Sequence, residues 1–143
     1  MLRSGCIVLS LWSLLNLIPS AVIVVSSTFW DANTPAIGQI LSAEEIRSLT
    51  PSERASLNSV AVFANGLNIA LALATISMIW FGIMRRQKWA FYATCLSLSC
   101  AVMAGALGDR LVGYTHPEIS LISAAILMVG AVLAGFGVHR TDA

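Results

Sequence analysis

The chain has 143 residues, of which 57% are hydrophobic and only 10% are charged, whereas soluble domains have about 45–50% and about 25%. Its mean hydropathy is +0.83. Eight basic and seven acidic side chains cannot cover the surface of a water-soluble globule of this size, so a soluble monomer is excluded. The net charge of +1 argues against a nucleic-acid partner.

Long gaps between charged residues define four apolar runs, which cover residues 6–25, 60–84, 89–108 and 119–138. About 20 helical residues span roughly 30 Å, the thickness of the hydrocarbon core of a bilayer. In lipid every backbone polar group needs a partner within its own segment, so apolar runs of this length are helices. The sequence therefore predicts an all-α integral membrane protein, with four transmembrane helices joined up and down as a bundle within the lipid bilayer.

A single transmembrane domain is predicted to cover residues 1–143. Its helices are expected at about residues 6–25, 51–84, 89–108 and 117–138, with an extracytoplasmic loop over about 26–50. A cleaved signal peptide is the alternative interpretation of the first run. The apolar stretch there is longer than the roughly 7–15 residues of such a signal, so a transmembrane helix is favoured.

Two capping boxes mark helix starts near the end of that loop. Ser42, followed three residues later by Glu45, predicts a short extracytoplasmic surface helix between the first two transmembrane helices. Thr50 with Glu53 predicts the start of the second transmembrane helix. Pro51 fits the first position of that helix, where its missing N–H group is not needed.

Arg85, Arg86 and Lys88 form the densest basic cluster of the chain, in the short connection between the second and third runs. Short loops rich in lysine and arginine stay in the cytoplasm. Four crossings return the chain to the side on which it starts, and six of the seven acidic residues fall on the opposite side. We therefore predict a multi-pass protein of the cell membrane with both termini in the cytoplasm.

Five polar residues are predicted to meet at the extracytoplasmic mouth of the bundle: Asn65, Asn68, Asp109, Arg110 and His116. The two asparagines share one helix face, and the other three lie on the short turn before the fourth helix. The functional interpretation is a ligand- or partner-binding site. The alternative is a set of ordinary loop charges and interhelical hydrogen bonds, with a third capping box at residues 115–118.

Asn16 is the polar side chain nearest the middle of the first predicted helix, and Pro19 follows it. Proline removes a backbone hydrogen bond and kinks helices, so this pair would suit a substrate path of the kind that broken helices line in transporters. The alternative is a hydrogen bond between helices. No charged residue falls at the midplane, which argues against an ion-coupled pump.

The sequence predicts no catalytic residue, no metal site and no cofactor. His116 with Asp109 and Glu118 is a weak constellation, because the three lack the spacing of a metal-binding motif. The three cysteines fall in the cytoplasmic half of the helices or near the midplane, where no extracytoplasmic disulfide would form. Nucleotide-binding and nucleophile motifs are absent from the sequence.

Small residues recur at helical spacing and predict close helix packing. In the third helix they are Ala101, Ala104, Gly105 and Gly108, and in the fourth they are the pairs Gly130–Ala134 and Ala131–Gly135. We therefore expect a non-enzymatic structural or accessory subunit that associates through its helices with itself or with another membrane protein. The alternatives are a small oligomeric transporter or channel, and a membrane enzyme that acts on a lipid-like substrate through His116 and Asp109.

Overall fold

The computed structural model describes residues 1–29, 41–111 and 117–139. Within these ranges the chain is helical and forms no β-strand, which confirms the all-α prediction. The α-helices are α1 (Leu2–Phe29), α2 (Ala43–Ser48), α3 (Pro51–Phe81), α4 (Lys88–Leu111) and α5 (Pro117–His139), and a short 3-10 helix, Ile83–Arg85, lies between α3 and α4.

Four segments of the described chain are long and apolar enough to cross a membrane: Leu2–Thr28, Pro51–Arg85, Lys88–Gly108 and Leu121–His139. This confirms the predicted number of helices of membrane-spanning length. Each long helix also leaves large apolar side chains exposed, among them Leu15, Phe63, Leu96 and Leu121, all at 63–68% of their full exposure. Water would oppose so much exposed apolar surface, whereas the acyl chains of a bilayer accommodate it.

Helix α1 is longer than the sequence predicts at both ends. It begins at Leu2 instead of residue 6, and the Gly5 N–H donates to the Met1 carbonyl at 2.9 Å to close its first turn. It also runs through Pro19 and ends at Phe29. Arg3 does not prevent the early start, because a long basic side chain at a helix end can extend into the headgroup layer while its stem stays in apolar surroundings.

Two compact units make up the chain: Met1–Leu14 with Leu73–Ala143, and Leu15–Ala72. The core of the first unit is apolar, and its members come from α1, α3, α4, α5 and the 3-10 helix. They include Cys6, Leu9, Ile79, Ile83, Ala90, Leu98, Leu127, Ala134 and Val138.

In the first unit the beginning of α1 lies directly against α5, at three glycines. A Cβ atom added to Gly5 would overlap the backbone of Ala134, and one added to Gly137 would overlap Leu2. One added to Gly130 would lie 2.9 Å from Leu9 Cδ2. Residue numbers rise along α1 as they fall along α5, so these segments run in opposite directions at backbone contact distance.

A polar contact extends this α1–α5 interface. The indole Nε1 of Trp12 donates to the hydroxyl of Ser123 at 2.9 Å and to its carbonyl oxygen at 3.2 Å. A buried indole N–H normally finds such a partner. The contact therefore fixes the register of the two helices beyond the glycine contacts.

A tight turn joins α3 to α4. Helix α3 ends at Phe81, a little earlier than the predicted residue 84. The buried Gly82 follows, and a Cβ atom there would overlap Ala90, so the turn needs glycine to pack this closely against α4. Arg86 then adopts a left-handed conformation with φ of 57°. Its N–H donates to the Ile83 carbonyl at 2.8 Å, so the chain reverses within a few residues.

Both predicted capping boxes are present in the second unit. The Ser42 N–H donates to Glu45 Oε2 at 2.8 Å, and the Glu45 N–H donates to Ser42 Oγ at 3.3 Å. Thr50 and Glu53 repeat the arrangement with the same two distances. Helices α2 and α3 therefore begin where their side chains satisfy the free N–H groups of the first turn.

A further side chain ties α2 to the first turn of α3. The guanidinium of Arg54 donates from Nη2 to the carbonyl oxygen of Ile46 at 2.8 Å, which provides a partner for a carbonyl at the end of α2. Ile46 is buried. The two capping boxes and this hydrogen bond connect residues 42–54 into a corner between α2 and α3.

The α1–α5 contact predicts different effects of alanine at two glycines. We expect Gly5→Ala to destabilise the protein by about 1–3 kcal/mol, because the added methyl group forces the two backbones apart. Gly66→Ala is the control, since no described atom lies within 4 Å of its Cβ position, and the higher helix propensity of alanine should stabilise it by about 0.5–1 kcal/mol. Unfolding by SDS titration measures both; equal effects would contradict the contact.

The hydrogen bonds of this corner also predict that the stability of α2 depends on pH. The hydroxyl and the backbone N–H of Ser42 donate to Glu45 and hold the pKa of that carboxyl below its ordinary value of 4.5. The stabilisation is therefore present above pH 4.5 and is lost as the pH falls through the lowered pKa. Hydrogen exchange of residues 43–48, corrected for its intrinsic rate, should accelerate in that window. Ser42→Ala should accelerate it by roughly fivefold at neutral pH and weaken the pH dependence, because only the backbone N–H at position 42 would still donate to Glu45; an unchanged pH profile would refute the box.

Candidate functional site

The structure places the two asparagines of the predicted outer site on α3, in the second unit. Asn65 Nδ2 donates to the carbonyl oxygen of Ala61 in its own helix at 2.8 Å. Asn68 is exposed. The amide N–H of Asn65 therefore serves the helix backbone, and Asn68 offers an exposed amide one turn further along.

The other predicted members belong to the first unit or lie outside the description. Asp109 and Arg110 are in the last turn of α4, and the Arg110 side chain is exposed. His116 and the start of the third capping box at Thr115 lie outside the described residues. The predicted meeting of these residues at one mouth stays a prediction.

Asn16 lies within α1, as predicted, and its side chain is exposed on the helix surface, like that of Pro19. Among the described residues no three histidine, cysteine, aspartate or glutamate side chains lie close enough together to hold a metal ion.

An apolar groove that the sequence did not predict lies in the first unit, between the beginning of α4 and the end of α5. It has a volume of about 780 Å³, within the roughly 300–1,000 Å³ of small-molecule pockets. Its walls come from one residue of α4 and five of α5: Phe91, Ala131, Val132, Gly135, Phe136 and His139. Met1 borders it beside the start of α1.

The floor of the groove depends on two small residues of α5. A Cβ atom on Gly135 would lie 3.1 Å from Cζ of Phe91, so the absent side chain is what lets the ring lie against the helix. Ala131 lines the groove one turn further along the helix. The pair Ala131–Gly135 therefore shapes a cavity, whereas the neighbouring pair Gly130–Ala134 makes the backbone contact with α1.

His139 lines one end of the groove and contacts the rings of Tyr92 and Phe91. The hydroxyl of Tyr92 and Nε2 of His139 are 3.2 Å apart and share a hydrogen bond. The ring of His139 lies edge-on to that of Phe91, with centroids 6.1 Å apart. The groove thus has a polar end at His139 and an apolar interior, an arrangement suited to an amphipathic ligand.

The same end of the unit carries the basic turn. Arg85 is in the 3-10 helix, which packs against both α4 and α5. Lys88 begins α4 and lies three residues before Phe91, or about 4.5 Å along the helix axis. The side chains of Arg85 and Lys88 are exposed, so cationic groups lie at the end of the unit that holds the groove.

Buried hydroxyl groups are a second unexpected feature of the first unit. Thr75 on α3 and Thr94 on α4 are completely buried. Neither Oγ1 atom has a hydrogen-bond partner in the part of the chain that the structure describes. An unpaired hydroxyl in an apolar interior opposes folding.

We expect Thr75→Val to stabilise the protein by up to about 1 kcal/mol, because it replaces an unpaired hydroxyl by a methyl group of the same shape. Thr28→Val is the matched control: Thr28 Oγ1 donates to the Val24 carbonyl at 2.7 Å, so the same change removes a hydrogen bond and should not stabilise. SDS unfolding measures both variants. A clear loss of stability in Thr75→Val would indicate a buried partner, such as a water molecule.

The chain matches no protein-family model, no curated protein and no solved structure. Its function must therefore be argued from the geometry of its own surfaces.

Proposed function

We propose that the protein is a non-enzymatic structural or accessory membrane subunit that associates with a second copy of itself through α4. The observation that supports this most directly is the difference between the glycines of α4 and α5. Gly130, Gly135 and Gly137 all face atoms of neighbouring helices, whereas Gly105 and Gly108 have no described atom within 4 Å of their Cβ positions.

Ala101, Gly105 and Gly108 lie at spacings of four and three, hence along one face of α4. In a bilayer the lipid tails are as apolar as leucine, so helices associate through van der Waals contact where small residues let backbones approach. Glycine also lowers helix stability. A pair of glycines without contacts among the described residues is therefore explained by a contact with a second copy of the chain.

The proposal includes a topology. The helices cross the cell membrane in alternating directions, with both termini and residues 85–88 in the cytoplasm and α2 on the extracytoplasmic surface. The opposite directions of α1 and α5 at their contact, with Leu2 beside Gly137, support this arrangement. The charge distribution supports its orientation, because basic loops remain in the cytoplasm.

The transporter and enzyme alternatives stay predictions. The first depends on Asn16, which is exposed on α1, and the second depends on His116, which lies outside the described residues. No described contact favours either of them.

Self-association is tested by substituting the open glycine. We expect Gly105→Leu to raise the dissociation constant of the oligomer about tenfold or more, since overpacking a close contact costs about 1–3 kcal/mol. Gly66→Leu is the matched control, because Gly66 is equally open on α3 and outside the proposed face. Single-molecule photobleaching in liposomes counts the copies. A monomeric wild-type protein, or equal effects of the two leucines, would refute association through α4.

A further inference from the structure

We propose that the groove between α4 and α5 binds one anionic phospholipid, with its phosphate beside the basic turn and an acyl chain along the groove. This ligand site is independent of the proposed self-association, because it uses the opposite end of α4. Three observations support it: the direction of the groove, its lining and the charge at its polar end.

The groove runs along α5 from the helix end into the span. From His139 back to Ala131 there are eight residues, or roughly 12 Å along the helix axis. His139 is the last residue of the apolar span Leu121–His139, so the groove leads from headgroup level into the hydrocarbon layer. An acyl chain of a lipid lies in that direction and is continuous with a headgroup at that level.

The residues that line the groove offer an apolar surface to an acyl chain and a polar end to a headgroup. Val132 and Phe136 are 51% and 65% exposed, so the groove is open sideways to the bilayer and a lipid can enter without unfolding the protein. Phe91 and Gly135 form an apolar floor. The polar group at its end is the imidazole of His139, which shares a hydrogen bond with Tyr92, so a glycerol or phosphate oxygen would find a hydrogen-bonding group there.

The charge at this end selects the headgroup. Arg3, Arg85 and Lys88 are exposed there, and along α4 and α5 the nearest acidic residues, Asp109 and Glu118, are each 21 positions away, roughly 30 Å along their helices. Asp142 lies outside the described residues. Basic pockets between transmembrane helices on the cytoplasmic side are typical binding sites for anionic headgroups.

Native mass spectrometry of the purified full-length protein tests the site. Phosphatidylglycerol and phosphatidylcholine with identical acyl chains are titrated separately, and bound lipid is counted on the monomer. We expect phosphatidylglycerol to bind roughly fivefold more tightly for each participating cation. Equal binding of the two lipids by the wild-type protein would overturn the proposal.

Two residues of the same type on α5 provide a steric test. Val132 lines the groove, whereas Val129 does not, and the two are 51% and 55% exposed. Val132→Trp should obstruct the groove and weaken the binding of phosphatidylglycerol, and Val129→Trp should leave that binding unchanged. Equal lipid binding by the two variants would overturn the proposal, as would a Val132→Trp variant that loses only its self-association, since a second copy would then occupy the groove.

If far-UV circular dichroism shows that Val132→Trp does not fold, substitution of a basic residue tests the lipid site instead. Lys88→Gln should weaken phosphatidylglycerol binding roughly fivefold and leave phosphatidylcholine binding unchanged. Arg47→Gln is the control, because Arg47 is an equally exposed cation on α2. If Lys88→Gln has no larger effect than Arg47→Gln, the basic turn does not select the headgroup and the proposal fails.

Discussion

The backbone contact between the beginning of α1 and the end of α5 determines the rest of the first unit. Gly5 and Gly137 leave no room for side chains at this contact, so α5 can face α1 in only one rotational setting. Successive residues of a helix differ by about 100° around its axis. Once Gly130 and Ala134 face α1, the adjacent Ala131 and Gly135 turn towards α4, where Gly135 meets Phe91 and Ala131 lines the groove.

The bilayer gives this arrangement its stability and its surfaces. Exposed leucine, valine and phenylalanine side chains gain nothing from packing against one another in lipid, so shape and small residues decide which helices meet. In a soluble protein the two helices would close such an apolar groove and exclude water from it. In a membrane protein an acyl chain of a lipid can occupy the groove. The groove beside Phe91 is therefore compatible with a stable fold.

Local signals in the sequence were sufficient for the helices but not for the groove. The four apolar runs and the boxes at Ser42 and Thr50 depend on residues close in sequence, and each is present in the structure. The groove depends on the register of α5 against both α1 and α4. That register is set by the contacts of Gly5 with Ala134 and of Gly135 with Phe91, which are far apart in sequence. The sequence shows two similar small-residue pairs on α5, and only that register distinguishes the pair that packs from the pair that lines a cavity.

The two surfaces of α4 are far enough apart to act separately. Phe91 and Gly105 are 14 residues apart, or roughly 21 Å along the helix, so the groove and the open glycines lie near opposite ends of one span. Between the two surfaces, Thr94 and Leu98 are buried and hold the middle of α4 in the core. The proposed lipid site and the proposed association face are therefore too far apart along α4 to overlap.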